Sequence, residues 1–372
     1  MRSGESKRKL SPEEIRELQV DKGQVDYELE ACNYEFPSDF DMELIRQFAQ
    51  NFLKSRDLSP THLPEHEVLA MRHLGSISGG VFRPNAACAL LFANDPGKHY
   101  PGCKIRFLRF EGETEGTGER FNAIKDVPIE GPIPTQIAAA ERIVDGQLRE
   151  FARLGQDNKF FVSPEYPKPA WYEAIVNACV HRSYLLCNMN IFVKMFDDRL
   201  VVESPGGFPP GVTAENIYEC HHPRNPHLMD AMFYLRFVRC AREGTRRIRD
   251  SMAEMRLPSP EFRQANRDFG QMVRVTLRNN IKQRKVWIDR DAAALIGETI
   301  FATLSQDQRR AINYVAEYGS IGVSELQRLT GRTWTTAKRT LRRLEALSLL
   351  KHVKRADLDR DPQARYVLKT GR

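Results

Sequence analysis

The stretch WYEAIVNACVHR (residues 171–182) sets a polar stripe into an otherwise apolar helix pattern. Glu173, Asn177 and His181 recur every four residues, so on a helix these three side chains share one face. Most of their neighbours are apolar, which predicts a buried helix, and polar groups in such a place need partners. The spacing alone leaves two interpretations open: a binding or catalytic face, or a few polar groups satisfied inside a core.

Short strands and a rigid loop are predicted directly after this helix. Residues 190–196 and 200–203 read as two strands joined by a hairpin turn at residues 197–199. The following SPGGFPPG (204–211) is too rich in proline and glycine for a helix or a central strand. The helix, the hairpin and the loop together predict an α/β fold.

The remaining elements extend this pattern in both directions. The alternation of apolar and polar residues, with Gly, Pro and Asn as breaks, distinguishes helices from strands. Residues 1–30 are helix-prone, with Ser11 as an N-cap before Pro12. We predict helices at residues 41–55, 63–74, 132–154, 213–219, 226–238 and 243–255, and strands at 86–92, 104–110 and 269–277.

Composition narrows the class of protein. The chain has 372 residues, of which 41% are hydrophobic, so two or three soluble globular domains are expected. No run of about 18 apolar residues and no apolar signal segment are present in the sequence. The seven cysteines are scattered, without a CxxC pair, which favours a reducing compartment and predicts a cytoplasmic protein.

Positive charge is concentrated at one end of the chain. Residues 301–372 contain 15 Lys and Arg against 7 Asp and Glu, whereas the whole chain has a net charge of +7. The rest of the chain is therefore close to neutral. A basic segment joined to a near-neutral body is typical of a nucleic-acid-binding module.

The basic segment has the pattern of a winged helix-turn-helix over residues 303–372. Ser305 and Ser324 cap predicted helices at 306–318 and 325–330, and Thr333 opens a third helix at 333–347. Strands at 349–354 and 364–368 flank a wing at 356–363. In such modules the start of the third helix reads base edges and its basic residues grip phosphates. The predicted DNA-binding residues are Arg332, Thr333, Thr335, Thr336, Lys338, Arg339, Arg342 and Arg343. The alternative is a winged helix used for protein contact or dimerisation.

Other constellations are weaker. The run CHH (220–222) offers three metal-ligand types, but adjacent ligands on one short loop do not easily enclose an ion, so a structural loop is favoured. No GxxxxGK[ST] motif occurs, which excludes a P-loop helicase motor.

The helix of residues 171–182 resembles the N box (E-x-x-x-N) of the superfamily of gyrase, heat-shock-chaperone, histidine-kinase and mismatch-repair ATPases. This resemblance implies that Asn177 ligates a Mg²⁺ ion bridging ATP phosphates and that Glu173 activates water. The run VVESPGGFPPGV (201–212) resembles the next box, D-x-G-x-G-I-P, and Gly207 begins the part that matches its G-I-P. Glu203 then stands where the adenine-reading Asp would be, and Pro205 where the first Gly would be.

A closer resemblance is to bacterial and archaeal predicted transcriptional regulators, also described as ATP-dependent DNA helicase RecG-related proteins. These carry a Schlafen/AlbA-type domain, a divergent ATPase-like domain and often a winged helix. The resemblance covers about residues 4–277. It is carried by NAACALLF (85–92), EAIVNACVHRSY (173–184), DDRLVVESPGGFPPGVT (197–213) and RNP (224–226).

This chain departs from that family at two places. The family's Gly-x-Gly stretch reads REG here, so Gly244 remains and Arg242 replaces the first glycine. Most of the Schlafen/AlbA-type domain that would precede residue 4 is missing, which suggests a truncated member, a split gene product or a late start. The implied cofactor-binding residues are Asn177, Glu203, Gly206, Gly207 and Gly244.

Together these patterns predict an α/β protein: a divergent ATPase-like α/β sandwich with a C-terminal winged helix-turn-helix. Residues 1–30 are the remnant of an upstream domain and linker, 31–280 the ATPase-like domain, 281–302 a basic linker and 303–372 the DNA-binding domain. The expected function is a DNA-binding transcriptional regulator that senses ATP with Mg²⁺, with weak or no hydrolysis. The alternatives are an ATP-hydrolysing enzyme in DNA transactions or phage defence, and a nucleotide-free scaffold that dimerises the winged helices. A homodimer is expected because specific operators usually have two half-sites.

Overall fold

The computed structural model describes most of the chain with a few gaps. The described residues are 2–3, 6–7, 12–57, 63–154, 160–220, 222–239, 243–255, 257–267, 270–279, 296–353 and 364–369. By their internal contacts, residues 1–148 and 165–279 form a first compact unit. Residues 149–164 and 280–372 form a second.

The described helices are α1 (Pro12–Asp21), α2 (Met42–Ser55), α3 (Glu65–Met71), α4 (Ala86–Phe92), α5 (Ile133–Asp145), α6 (Lys168–His181), α7 (Pro226–Tyr234), α8 (Gly244–Glu254), α9 (Glu298–Thr303), α10 (Gln306–Tyr318), α11 (Val323–Thr330) and α12 (Trp334–Ala346). Short 3₁₀ helices lie at Tyr27–Leu29, Pro96–Lys98 and Gly118–Arg120. The strands are β1 (Arg2–Ser3), β2 (Ser6–Lys7), β3 (Gly75–Ser78), β4 (Val81–Pro84), β5 (Ile105–Phe110), β6 (Ala123–Ile129), β7 (Glu150–Leu154), β8 (Phe160–Pro164), β9 (Ile191–Met195), β10 (Arg199–Pro205), β11 (Glu261–Arg267), β12 (Gly270–Arg278), β13 (Ser320–Ile321), β14 (Leu350–Val353) and β15 (Arg365–Leu368).

The first unit is a mixed α/β structure around one large sheet. Six described strands pair in the order β11-β12-β10-β9-β5-β6. The pairs are antiparallel except β5 with β9, which run parallel, so the sheet is mixed. The predicted hairpin after α6 is confirmed as β9 and β10, paired through Leu200 with Met195 and Glu203 with Phe192.

Alternation along the strands divides the sheet into two faces. Phe107, Val193 and Val202 face the main core, together with buried side chains of α5 and α6. On the other face, Phe110 and Val201 belong to a small separate cluster. Two side chains that are adjacent in one strand therefore lie on opposite faces of the sheet. Only one of the two can reach a site on a given face.

One predicted strand is wrong. Residues 86–92 form helix α4, in which every side chain is buried. The Asn85 side chain caps this helix by accepting a hydrogen bond of 3.0 Å from the backbone N–H of Cys88. A short run that is apolar throughout fits a buried strand and a buried helix equally well, and here the cap and three alanines favour the helix.

One predicted helix ends earlier than expected, and another is absent from the described residues. The helix predicted over 132–154 ends at Asp145, with Gly146 as its C-cap, and residues 150–154 are strand β7, paired with β8. Residues 213–219 form turns, in which the Asn216 side chain accepts from the Thr213 N–H at 2.6 Å and donates to the Gly211 carbonyl at 2.9 Å. These local hydrogen bonds compete with a helix.

The described part of the second unit contains α9 to α12 and a sheet of β13, β15 and β14 in that order, all antiparallel. Ser305 and Gln308 form a reciprocal capping box at the start of α10, and Gly319 ends it in the left-handed conformation with φ of +77°. Helix α11 begins two residues earlier than Ser324 suggested, with Gly322 at its N-cap. Apolar side chains of α10, α11 and α12 bury one another in a core separate from that of the first unit.

Several predictions fall on residues outside the described ranges. These are the wing tip at 356–363, most of the linker at 281–302, and Arg242. None of the described helices combines the length and the apolar character needed to cross a membrane.

Candidate functional site

Helix α6 presents its polar stripe to a cavity of about 160 Å³ in the first unit. Glu173, Asn177 and His181 all line this cavity, so the structure brings the predicted stripe together on one wall. Apolar side chains on its other faces, including Trp171 and Ile175, are buried in the main core. The apolar faces hold the helix in place and leave the polar stripe as part of the cavity wall.

The end of β10 and the loop after it form a second wall. Ser204, Pro205, Gly206, Gly207 and Phe208 line the cavity. The backbone of Gly206 has a φ of +101°, and a Cβ on it would overlap a guanidinium nitrogen of Arg224. Only glycine suits both the backbone conformation and the space at this position.

The start of helix α8 closes the third side. Gly244 and Thr245 line the cavity. A Cβ on Gly244 would overlap the Oε1 atom of Glu173 and lie 3.3 Å from Nδ2 of Asn177. The backbone of α8 can approach both polar residues of α6 only because residue 244 lacks a side chain. A helix N-terminus also carries partial positive charge and backbone N–H groups without intrahelical partners.

An arginine that sequence reasoning missed forms an ion pair with the carboxylate in this cavity. Nη1 of Arg247, one turn into α8, lies 2.9 Å from Oε2 of Glu173. Burial raises the pKa of Glu173, while the Arg247 charge and a hydrogen bond from Asn177 act in the opposite direction. The only sequence signal for Arg247 was its place three residues after Gly244 on a predicted helix.

The structure does not place Glu203 in the cavity, contrary to the adenine-reading role that the superfamily resemblance implied. Glu203 lies on the opposite face of the sheet, where Lys194 is 3.1 Å away and Arg274 donates two hydrogen bonds to it. Burial acts to raise the pKa of Glu203, but these two cations hold it below its usual range. Ser204, the next residue in the strand, lines the cavity and donates to the Ala178 carbonyl at 2.9 Å.

The predicted DNA-contacting residues lie on and just before α12. Arg332, Thr333, Thr335, Arg339, Arg342 and Arg343 are exposed, while Thr336 and Lys338 are half-buried. Several of these residues already have partners within the fold. Thr333 caps α12 by accepting from the Thr336 N–H, and Arg332 pairs with Asp307 at 3.0 Å.

The sequence reasoning also passed over the first residue of α12. Trp334 keeps 47% of its surface exposed, and the Lys338 ammonium lies 4.6 Å from the centre of its ring. A large aromatic side chain at the start of a basic helix was visible in the sequence, but its exposure was not.

Residues 188–277 match the family described as "Putative ATP-dependent DNA helicase recG C-terminal". The chain therefore contains an ATPase-like domain related to the C-terminal region of RecG. The match spans β9 to β12, including the loop and the start of α8 that line the cavity, but it does not reach α6.

Among solved structures, the chain is similar to the crystal structure of the DIP2311 protein from Corynebacterium diphtheriae. The two share 19% sequence identity with a TM-score of 0.55, over 99% of this chain and 69% of the other. At this identity the likeness concerns the fold. No curated protein matches the chain.

Proposed function

We propose that this chain is a DNA-binding transcriptional regulator whose ATPase-like domain acts as a nucleotide sensor. The main observation in support of DNA binding is that α12 has one apolar, buried side and one basic, exposed side. Ala337, Leu341 and Leu344 are buried on one side, and Arg339, Arg342 and Arg343 are among the exposed residues of the other. A helix of this kind is anchored by its apolar stripe and offers its basic face to a polyanion.

The elements around α12 support a winged helix-turn-helix over residues 303–372. From α10 to β15 the order is helix, strand, helix, helix, strand, strand, and the last strand, β15, pairs with both β13 and β14. In proteins with this arrangement the third helix enters the major groove with its N-terminal end near the bases. We accordingly assign the region of Arg332 and Thr335 to base edges, and Arg339, Arg342 and Arg343 to phosphates.

For the sensor, we propose that the cavity of the first unit receives the phosphate end of ATP with its Mg²⁺. The Asn177 side chain supplies an oxygen of the kind that Mg²⁺ accepts. The N-terminus of α8, brought close by Gly244, supplies backbone N–H groups for phosphate oxygens. Arg247 adds a cation next to these groups. Metal, phosphate and protein charges are then complementary within one small volume.

The size of the cavity supports this partial assignment. At about 160 Å³, the cavity is smaller than the roughly 300–1,000 Å³ typical of sites that enclose a whole small molecule. The side chain expected to read adenine, Glu203, is also on the other face of the sheet. We therefore propose that the nucleotide is held mainly through its phosphates and that base selectivity is low.

The position of Arg247 favours a binding switch over an efficient ATPase. A water-activating carboxylate must be available to the water, but Glu173 is engaged by Arg247 at 2.9 Å. A hydrolysing enzyme is the second candidate, because Glu173 lies one helical turn from the proposed metal ligand and is held by two contacts that a ligand can displace, the ion pair with Arg247 and the hydrogen bond from Asn177. Hydrolysis then requires that the phosphates draw Arg247 away from Glu173.

Fluorescence anisotropy of a labelled mixed-sequence duplex of about 30 base pairs, long enough for two half-sites, tests the proposal on the full chain. We expect salt-sensitive binding whose affinity changes when ATP and Mg²⁺ are added, together with little phosphate release. Rapid phosphate release abolished by Glu173→Ala would support the enzyme instead. DNA binding that ATP does not alter, with no ATP binding by calorimetry, would leave a nucleotide-free DNA-binding scaffold. Absence of duplex binding at low salt would refute the proposal.

We also propose that the protein binds DNA as a homodimer. One winged helix covers a short half-site, and two copies on a two-fold axis double the contacts and the specificity. Light scattering at micromolar concentration should give twice the chain mass, at least when DNA is bound. A monomer both with and without DNA would contradict this expectation.

A further inference from the structure

Trp334, the first residue of α12, is a large aromatic side chain that stays exposed. It keeps 47% of its surface in contact with solvent, although the buried stripe of Ala337, Leu341 and Leu344 lies on the same helix. An apolar side chain stabilises the fold through the surface that it buries, so an indole that stays half exposed contributes little stability for its size. Its exposure is explained if a partner covers it.

The immediate surroundings of Trp334 identify the class of partner. Lys338 holds its ammonium 4.6 Å from the centre of the ring, and Thr335 and Arg339 are neighbouring side chains on the surface of α12. The carboxylate of Asp307, from α10, is neutralised by Arg332 at 3.0 Å. We call Trp334, Thr335, Lys338 and Arg339 the Trp334 patch: one apolar ring bordered by positive charge.

We propose that the Trp334 patch reads A·T pairs in the DNA major groove, with the indole packed on thymine methyl groups and Lys338 directed to a neighbouring phosphate. This inference rests on the proposed DNA-binding function and adds a specificity-determining residue to it. The bases of an intact duplex expose only their edges in the groove, and the thymine C5-methyl is the apolar group on those edges. A ring bordered by cations complements such a methyl group bordered by phosphates, whereas an apolar protein partner would leave the cations without partners.

The cation on the ring also prepares the contact. A Lys ammonium over an indole face is attracted by the ring's negative charge density, which restricts both side chains before DNA arrives. Side chains held in their bound positions lose less conformational entropy on binding.

The test uses the full chain and a pool of DNA duplexes randomised over about 20 base pairs, roughly two turns of the double helix. Bound duplexes are enriched with the wild type, Trp334→Ala, Trp334→Phe and Phe233→Ala. Phe233 is the matched control, since it is 42% exposed but lies in the first unit. Affinities for the enriched sequence are then measured with thymine and with uracil, which lacks the methyl group but pairs identically.

We expect Trp334→Ala to bind the enriched sequence about tenfold more weakly and to lose preference at A·T positions. Uracil should weaken the wild type but not Trp334→Ala. Trp334→Phe keeps an apolar ring and should retain most of the affinity and the sensitivity to uracil, and Phe233→Ala should match the wild type. Retention by Trp334→Phe shows that an apolar ring at this position, and not the indole N–H, makes the contact.

The inference is overturned if Trp334→Ala enriches the same sequence with unchanged affinity, or if uracil and thymine duplexes bind the wild type equally. Both results leave DNA binding itself intact. If the wild type binds no duplex, the proposed function fails as a whole and the inference with it. Intrinsic fluorescence adds an independent measure. The chain contains Trp171, Trp287 and Trp334. Quenching by DNA that is present in the wild type and disappears in Trp334→Phe is assigned to Trp334 and supports the contact.

Discussion

The cavity between α6 and α8 and the exposed face of α12 use charge in opposite ways. In the cavity, the carboxylate of Glu173 meets the guanidinium of Arg247 at 2.9 Å, so the two charges neutralise each other within the fold. On α12, Arg339, Arg342 and Arg343 have no ion pair with any residue that the structure describes, and they stand one helical turn or less apart.

This difference shows which charges need an external partner. Like charges three or four residues apart on a helix destabilise it by about 0.2–0.5 kcal/mol per pair. The arginines of α12 therefore cost the isolated protein stability that DNA phosphates would recover. Glu173 and Arg247 carry opposite charges, so no repulsion between like charges arises in the cavity. A ligand there must compete with their existing contact. We expect DNA affinity to depend on long-range charge. We expect ligand affinity in the cavity to depend on whether the ligand can replace Glu173 as the partner of Arg247.

The largest effect should follow from removing exposed charge on α12. Arg342→Ala combined with Arg343→Ala removes two proposed phosphate contacts, which should reduce the slope of log affinity against log salt by about two. At about 0.1 M salt this corresponds to a loss on the order of fiftyfold for every duplex sequence. Anisotropy titrations of the full chain over a series of salt concentrations measure both quantities.

The control for this pair is Arg46→Ala combined with Arg142→Ala. Both arginines are exposed on helices of the first unit, so the net charge changes equally. An equal loss in the control would mean that total charge, and not the face of α12, determines binding.

A smaller effect is expected when the proposed metal ligand is removed. Asn177→Ala deletes the side-chain oxygen next to Gly244 and should raise the Kd for ATP with Mg²⁺ at least tenfold. Calorimetry with ATP and Mg²⁺ measures it, and Asn51→Ala, on α2, is the matched control. Asn177→Ala should leave duplex binding in the absence of nucleotide unchanged. Equal ATP affinity in Asn177→Ala and the wild type would remove Asn177 from the site.

The pH dependence of stability tests the paired charge itself. Because burial raises the pKa of Glu173 above 4.5 in the folded state, the unfolded chain releases this proton first as pH rises. Ionisation of Glu173 therefore costs no stability well below pH 4.5, and the cost grows as pH rises through the raised pKa. Glu173→Gln should then raise the melting temperature by a few degrees at most at pH 7, and by less at pH 4. A decrease at pH 7 would show that the ion pair with Arg247 outweighs the cost of burial.

The helices of the second unit were predictable because their signals are local. Ser305, Gly319 and Thr333 mark helix ends through hydrogen bonds and backbone conformations a few residues away. The α6 stripe was predictable for the same reason, since a spacing of four fixes the shared face of any helix. Helix α4 was not, because a buried apolar run carries no periodicity that distinguishes helix from strand.

The charge partners in the site could not be derived from spacing, since they come from segments far apart in the chain. Arg247 is 74 residues from Glu173, and only the folded chain brings the two together. Glu203 is an instructive exception. Strand alternation puts it on the face opposite to Val202 and Ser204, and this was available from the sequence once β10 was predicted. The superfamily pattern and the strand alternation make opposite predictions for Glu203, and the structure agrees with the alternation.

The smallest effect separates two threonines of the basic helix that sequence reasoning treated alike. Thr333 is exposed but caps α12, and its hydroxyl accepts from the Thr336 N–H. Loss of an N-cap typically costs about 1 kcal/mol, so Thr333→Ala should lower the unfolding temperature of the second unit.

Thr335 is exposed inside the first turn, where replacement by alanine should change stability by less than about 0.5 kcal/mol. If Thr335 reads a base edge, Thr335→Ala should instead relax preference at one position, by about 1 kcal/mol or less, while non-specific affinity at low salt stays the same. Calorimetry of both variants and competition between single-base variants of an enriched duplex measure the two effects. A preference change in Thr333→Ala alone would mean that the cap orients the helix in the groove, and that Thr335 contributes nothing to sequence reading.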